Sequence, residues 1–326
     1  MNRVSWGVFF AFAAIYIIWG STYLVILFAI KTMPPVFMSA IRFMAAGLVL
    51  YLYAMCKGER QPDFTSFIKN ALCGILLLFG GTVAVAWAEQ YIASSVTAII
   101  VTSVPFWFVL LDKRQWSWYF SNKQIISGLL IGFTGVLLLL SFKNHGLPGV
   151  SSSQQLAGIA IIIAGGIAWT AGSLFSKYYP ARNSLLMNGA IQLLVAGFFS
   201  LMVSVFTGES RHFSFVQVQT ESWLALLYLT VMGSLLAYLC YLWLLKVKPA
   251  AQVSSYVYVN PIVAVLLGAV FAGENISHVQ VLALAVILCG VLLVNLPRYK
   301  KIKPMISESR PIQQPVCPQE TLRETG

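Results

Sequence analysis

"SAIRFMAAG" (39–47) returns 150 residues further on as "GAIQLLVAG" (189–197). The same shift of 150 pairs Trp19 with Trp169. Further along, Trp87 pairs with Trp243 and Pro105 with Pro261 at a shift of 156, and "GVLLL" (135–139) with "GVLLV" (290–294) at 155. One such pair means little in so apolar a chain. An ordered series with a slowly drifting offset reads as a duplicated unit with small insertions in its loops.

What is duplicated follows from composition. Hydrophobic residues make up 59% of the chain and charged residues 10%, and mean hydropathy is +0.80. A water-facing surface needs about 25% charged residues, so most of this surface faces something other than water. The apolar runs are continuous, which excludes a β-barrel with its alternating strands. Each run is close to the roughly 20 residues that cross a bilayer as a helix. Ten spans are expected, at roughly 7–30, 33–55, 68–88, 91–111, 125–142, 155–176, 184–207, 222–244, 250–272 and 279–296. The first is too long for a signal peptide and has no small-residue cleavage site after it. The expected class is an all-α polytopic membrane protein.

Charge orients the spans. Of the 21 basic residues, only Lys31, Lys143 and Arg211 lie in one set of loops, and Arg42 lies inside a span. All the others fall in the alternate segments, which predicts both termini in the cytoplasm. This asymmetry accounts for the net charge of +11 without nucleic acid as a partner. The bilayer is the expected partner, and the basic start of the tail, "RYKKIK" (298–303), suits an anionic lipid surface. Five spans per unit is an odd number, so the second unit enters the membrane from the opposite side. The expected architecture is ten transmembrane helices as two inverted five-helix repeats, 1–148 and 149–297, followed by a disordered cytoplasmic tail, 298–326. Secondary transporters use this arrangement.

Cys56, Cys73, Cys240, Cys289 and Cys317 fall in spans, at a span end or in the tail, and imply no disulfide framework. His145, His212 and His278 show no metal-ligand spacing. No cofactor or metal is implied, and neither is an enzyme. Intramembrane proteases need paired aspartates, a serine–histidine pair or zinc ligands within spans. A phosphate-binding loop is absent from the sequence.

"YIIWGSTY" (16–23), "AIRFMAAG" (40–47), "YVNPIVAVLLG" (258–268) and "GEN" (273–275), in this order over ten spans, resemble the EamA family of the drug/metabolite transporter superfamily. The resemblance covers about residues 6–297. It implies two inverted five-helix repeats with a substrate cavity between them, at the bacterial inner membrane. It also implies export of amino acids or other small metabolites. Many relatives carry an acidic residue before the second proline, where this chain has Asn260.

The residues offer two readings at each position. Tyr16, Trp19 and Tyr23 share one face of the first span with Gly20 beside them, either a site wall with a hinge or a close-packing notch; Thr22 belongs to the same segment. Arg42 lies about 10 Å into the second span, where an arginine costs about 2.5–3.5 kcal/mol on insertion scales. It is either an anchor for a substrate carboxylate or a tether to backbone carbonyls, the second being slightly favoured. Its repeat mate is Gln192. Pro105 and Pro261 free a backbone carbonyl each and kink their helices. Tyr256 and Asn260 share a face beside Pro261, as substrate contacts or as interhelical hydrogen-bond glue. Trp87, Ser103, Trp169 and Tyr238 complete the expected substrate-binding set, and Gly20, Pro105 and Pro261 the hinges. Glu89 and Glu274 lie at outer span ends, as proton-coupling groups or, the favoured reading, solvated carboxylates. Gly128, Gly132 and Gly135 suit tight helix packing within the chain, or a homodimer through small-residue faces. The alternatives to a carrier of a small-molecule substrate are a passive channel and a non-transporting scaffold.

Overall fold

The computed structural model of the chain describes residues 3–141, 149–248, 253–254, 256–271 and 277–295. Glu274, Ser255 and the tail from Arg298 lie outside them. The described residues are helical, without a β-strand. Seven helices are long and apolar enough to cross a membrane. They are α1 (Arg3–Ile30), α2 (Pro35–Cys56), α3 (Phe64–Ala88), α4 (Ser94–Leu111), α6 (Ser152–Tyr178), α7 (Leu185–Phe206) and α8 (Thr220–Val247). Three further apolar helices are α5 (Lys123–Ser141), α9 (Tyr256–Phe271) and α10 (His278–Asn295).

Helix ends are set by local chemistry. Ser151 and Gln154 form a capping box at α6, and Ser184 caps α7 by accepting from the Met187 N–H at 3.0 Å. Each satisfies donors that the first helical turn leaves orphaned. At α2 the N-cap residue Pro34 and the first helical residue Pro35 offer neither a side-chain cap nor an N–H. Glu209, from the connection between α7 and α8, supplies the acceptors instead. Its carboxylate oxygens accept from Val36 and Phe37 N–H at 3.1 and 3.2 Å, a negative charge where the helix dipole favours one.

The prolines act differently in the two halves. α4 is broken at Thr102–Ser103, and Pro105 stands in the first turn of its second segment, Val104–Leu111. Pro261 lies inside an uninterrupted α9. Proline is tolerated without loss in a first turn, where its missing N–H has no partner anyway. Two stretches are π-helical, Gly74–Val83 in α3 and Leu229–Ala237 in α8. They begin 155 residues apart.

Two antiparallel pairs form the most extensive contacts, α2 with α7 and α5 with α10. A Cβ on Gly47 would lie 2.8 Å from the Leu194 nitrogen and 3.1 Å from the Ala190 oxygen. One on Gly197 would lie 2.7 Å from the Met44 nitrogen and 3.2 Å from the Ala40 oxygen. These are the same contacts with 150 added or subtracted. In α5 and α10 the pattern recurs: Gly135 faces the Ile287 nitrogen at 2.9 Å, and Gly290 faces the backbone of Gly132 and Gly128. Gly128, Gly132 and Gly135 therefore serve packing within the chain. Around these pairs, α1 packs on α8 and α9, and α6 packs on α3 and α4.

Gly290→Leu should lower the thermal unfolding midpoint in detergent sharply. The atoms it meets are backbone, so the cost should exceed the about 1–3 kcal/mol typical of overpacking. An unchanged midpoint would mean that α5 and α10 do not pack at this register.

Candidate functional site

Between these helices lies a cavity of about 100 Å³, lined from α1, α2, α3, α4, α6, α8 and α9. A water needs roughly 10–15 Å³ on this measure, so there is room for several waters or part of one small molecule. Trp19, Thr22, Arg42, Trp169, Tyr238, Tyr256 and Asn260 all line it. Its α1 residues run from Trp19 to Ile26, and its α6 residues from Ile162 to Trp169. Trp19 and Trp169 thus bound these two runs on the side away from the end where α1 stops and α6 starts.

Its floor is aromatic. Trp19 and Trp169, mates in the sequence repeat, meet edge to face with ring centres 5.5 Å apart. Tyr241 and Tyr256 each lie 5.1 Å from the Trp19 ring. Such offset and T-shaped contacts add to area burial. Below this floor the Tyr241 hydroxyl pairs with the Ser173 hydroxyl at 2.7 Å. The Trp169 ring passes over Gly81, where a Cβ would come within 2.7 Å of it. The Trp19 indole N–H donates to the Gly233 carbonyl at 3.4 Å.

Arg42 is 4% exposed, and its Nε donates to the Ser234 hydroxyl at 2.7 Å. That partner is a side chain on α8, where the favoured reading expected backbone carbonyls. Its mate Gln192 belongs to a second network. The Tyr238 hydroxyl donates to Gln192 Oε1 at 2.5 Å, Gln192 Nε2 to Asn70 Oδ1 at 2.8 Å, and Asn70 Nδ2 to Asn188 Oδ1 at 2.8 Å. This chain ties α8 to α7 and α3 and holds Tyr238 in the cavity wall.

Asn260 is buried, and its amide nitrogen donates to the Tyr16 and Tyr256 carbonyls at 3.0 Å each in the orientation that satisfies its surroundings. It thereby joins α9 to α1. The junction is close because of Gly20, where a Cβ would lie 2.8 Å from Val263 Cβ and 3.3 Å from Asn260 Cα. Gly20 is a packing notch filled by Val263. Thr22 returns its hydroxyl to the Trp19 carbonyl at 2.7 Å.

The remaining expected residues stand apart from the cavity lining. The Tyr16 ring packs on Phe12, 5.7 Å away. Trp87 packs on Tyr91 at 4.9 Å. Ser103, at the break in α4, accepts from Trp107 Nε1 at 3.3 Å, while its neighbours Val101 and Val104 reach the cavity. Glu89 corrects an expectation: it is fully buried, not solvated. Span-end position does not imply water when other helices cover the end. The sequence reading overlooked Gly233, Ser234, Gly81, Thr82, Gly165 and Gly166. Their signal was present as the small-residue runs "GGT" (80–82), "GG" (165–166) and "GS" (233–234).

At the opposite end of the bundle Asp112 is also buried, although its place after α4 reads as an exposed loop. The Tyr178 hydroxyl donates to its Oδ1 and Oδ2 at 2.8 and 3.0 Å, and the Arg114 guanidinium lies over the Tyr178 ring, 4.3 Å from its centre. These contacts latch α4 to α6 beneath the aromatic floor.

A helical membrane-type bundle with an internal polar-and-aromatic cavity is an architecture that small-molecule transporters use. The chain belongs to the EamA-like transporter family, which matches residues 5–141 and again 156–296. It is 35% identical over 312 residues to the uncharacterized inner membrane transporter YedA of Escherichia coli K12, covering 94% of this chain and 95% of that one. The uncharacterized transporter YvbV of Bacillus subtilis is 24% identical, over 87% and 90% of the two chains. Protein PecM of Dickeya dadantii is 25% identical, over 88% and 93%. A solved crystal structure shares the fold with a TM-score of 0.62 at 19% identity, covering 90% of this chain and 96% of that one.

Burial raises the Asp112 carboxyl above its ordinary value, and the Tyr178 bond and the Lys177 charge offset this only in part. The folded state therefore takes up a proton before the unfolded chain does, and the destabilising burial of charge is relieved as pH falls. Asp112→Asn lacks this term. The melting-temperature difference, wild type minus Asp112→Asn, should become more positive as pH falls from neutral toward the ordinary carboxylate range. A pH-independent difference in detergent-solubilised protein would contradict it.

Proposed function

We propose that the chain is a secondary carrier that exports a small metabolite, amino acids among the candidates, across the bacterial inner membrane by alternating access. The observation that carries this reading is the cavity itself. It lies at the seam of the two halves, floored by the repeat-related Trp19 and Trp169 and charged by Arg42.

Several features support it. The reciprocal glycine contacts of α2 with α7 and of α5 with α10 are what two like units facing in opposite directions would make, the arrangement that lets a carrier exchange conformations. On this reading the units are 1–148 and 149–297, with both termini cytoplasmic. The cavity then lies on the outer side of the aromatic floor, and the Asp112–Tyr178 latch closes the cytoplasmic side. Conversion to the inward-facing form would part the Trp19–Trp169 contact and that latch. Glu89, fully buried, is the proposed group for proton coupling.

The test is flux from proteoliposomes, with substrates nominated by comparing exported metabolites with and without overexpression. Saturable flux that accelerates with substrate on the far side is expected, as is at least a tenfold loss in Trp19→Ala, on the scale of about 1.4 kcal/mol. Asn260→Ala in well-folded protein should also reduce it. Non-saturable flux would identify a channel, and no flux of any metabolite would leave a scaffold.

A further inference from the structure

Two consecutive residues of α8 hold the two most distinctive side chains of the cavity. The Gly233 carbonyl accepts from the Trp19 indole, and the Ser234 hydroxyl accepts from Arg42 Nε. Both lie in the π-helical stretch Leu229–Ala237, and such wide turns recur at functional sites. Gly233 is also the space in which the guanidinium lies, since a Cβ there would come within 2.7 Å of Nη2 and 3.5 Å of the Thr22 methyl. A side chain at 233 would push Arg42 aside, and loss of the hydroxyl at 234 would release it.

This clamp decides how Arg42 meets a ligand. An arginine has five N–H donors in a planar fork. Engaging Nε on Ser234 leaves the two terminal nitrogens, the pair that grips a carboxylate bidentately. The same helix holds the Trp19 ring alongside, and Trp169 and Tyr256 continue the aromatic surface. We propose that Gly233 and Ser234 are the positioning residues of a two-part subsite, Arg42 for one carboxylate and the Trp19 floor for a flat apolar body attached to it. The subsite selects aromatic or similarly flat monocarboxylates over their neutral and cationic counterparts. This rests on the carrier reading for its role in transport, and on geometry alone for its binding preference.

The experiment is calorimetric titration of the full-length protein in lipid nanodiscs with three probes of one shape: 3-phenylpropionate, 3-phenylpropionamide and 3-phenylpropylammonium. The carboxylate should bind at least about tenfold more tightly than either other probe, on the scale of a hydrogen bond to a charged group. Ser234→Ala, assayed as folded protein, should weaken the carboxylate by about that factor and leave the amide unchanged. A merely structural serine would weaken all three alike. Gly233→Ala should act in the same direction; where it fails to fold, Ser234→Ala decides. Equal affinities in wild type, no binding of any probe, or an unchanged carboxylate preference in Ser234→Ala would overturn the proposal. Carboxylate preference without flux of any metabolite would sink the carrier reading and leave the subsite standing. Flux without the preference would do the reverse.

Discussion

Backbone-to-backbone contact between α2 and α7 is the constraint on which the rest of the bundle depends. Gly47 and Gly197 let the two helices approach until Cα positions meet main-chain atoms. Within a bilayer there is no hydrophobic gain from pressing one apolar helix on another, so small residues and close packing hold the pair. The contact is reciprocal, and each half of the chain supplies the same surface to the other. The remaining helices are then disposed in matched groups, α1 against α8 and α9, and α6 against α3 and α4. The cavity is the space left where the groups meet.

Two buried polar systems give that space its chemistry, and both converge on α8. Arg42 reaches Ser234, and Gln192 reaches Tyr238. Repeat-related positions thus bind the same helix by unlike means, one with a charge and one with a neutral amide. An arginine placed in a bilayer costs about 2.5–3.5 kcal/mol, whereas a hydrogen bond to a charged group returns about 1.5–3 kcal/mol. One bond to Ser234 therefore offsets much of the cost. Waters in the cavity, which has room for several, would supply further solvation to the guanidinium in its wall.

Much of the site was legible because membrane sequences expose their exceptions. Arg42, Trp19, Trp169, Tyr238, Tyr256 and Asn260 stand out where Leu and Val would otherwise serve, and all line the cavity. Tyr16, Trp87 and Ser103 stood out for the same reason, yet they pack on Phe12, Tyr91 and Trp107. Polarity and aromaticity mark a position as interior; they do not say which interior neighbour it meets. The glycine and serine contributions were harder to see, because Gly81 and Gly233 act through the side chain they lack. The π-helical turns left no distinct period, since their apolar runs continue those of the α-helix on either side. Glu89 misled because span ends read as wet, and only packing reveals which ends are covered.

The sequence by itself determined the class of the molecule: hydropathy and helical length admit only a helical bundle in a membrane, and the ordered repeat implies two like units. These are properties summed over many residues, so single substitutions hardly disturb them. Only the tertiary structure decided that Pro105 begins a helix segment while Pro261 rides inside one, that Gly20 is a notch for Val263, and that Ser234 receives Arg42. Each of these depends on which atoms arrive within 3 or 4 Å from another helix. That is fixed by the crossing geometry of the whole bundle, which no local pattern encodes.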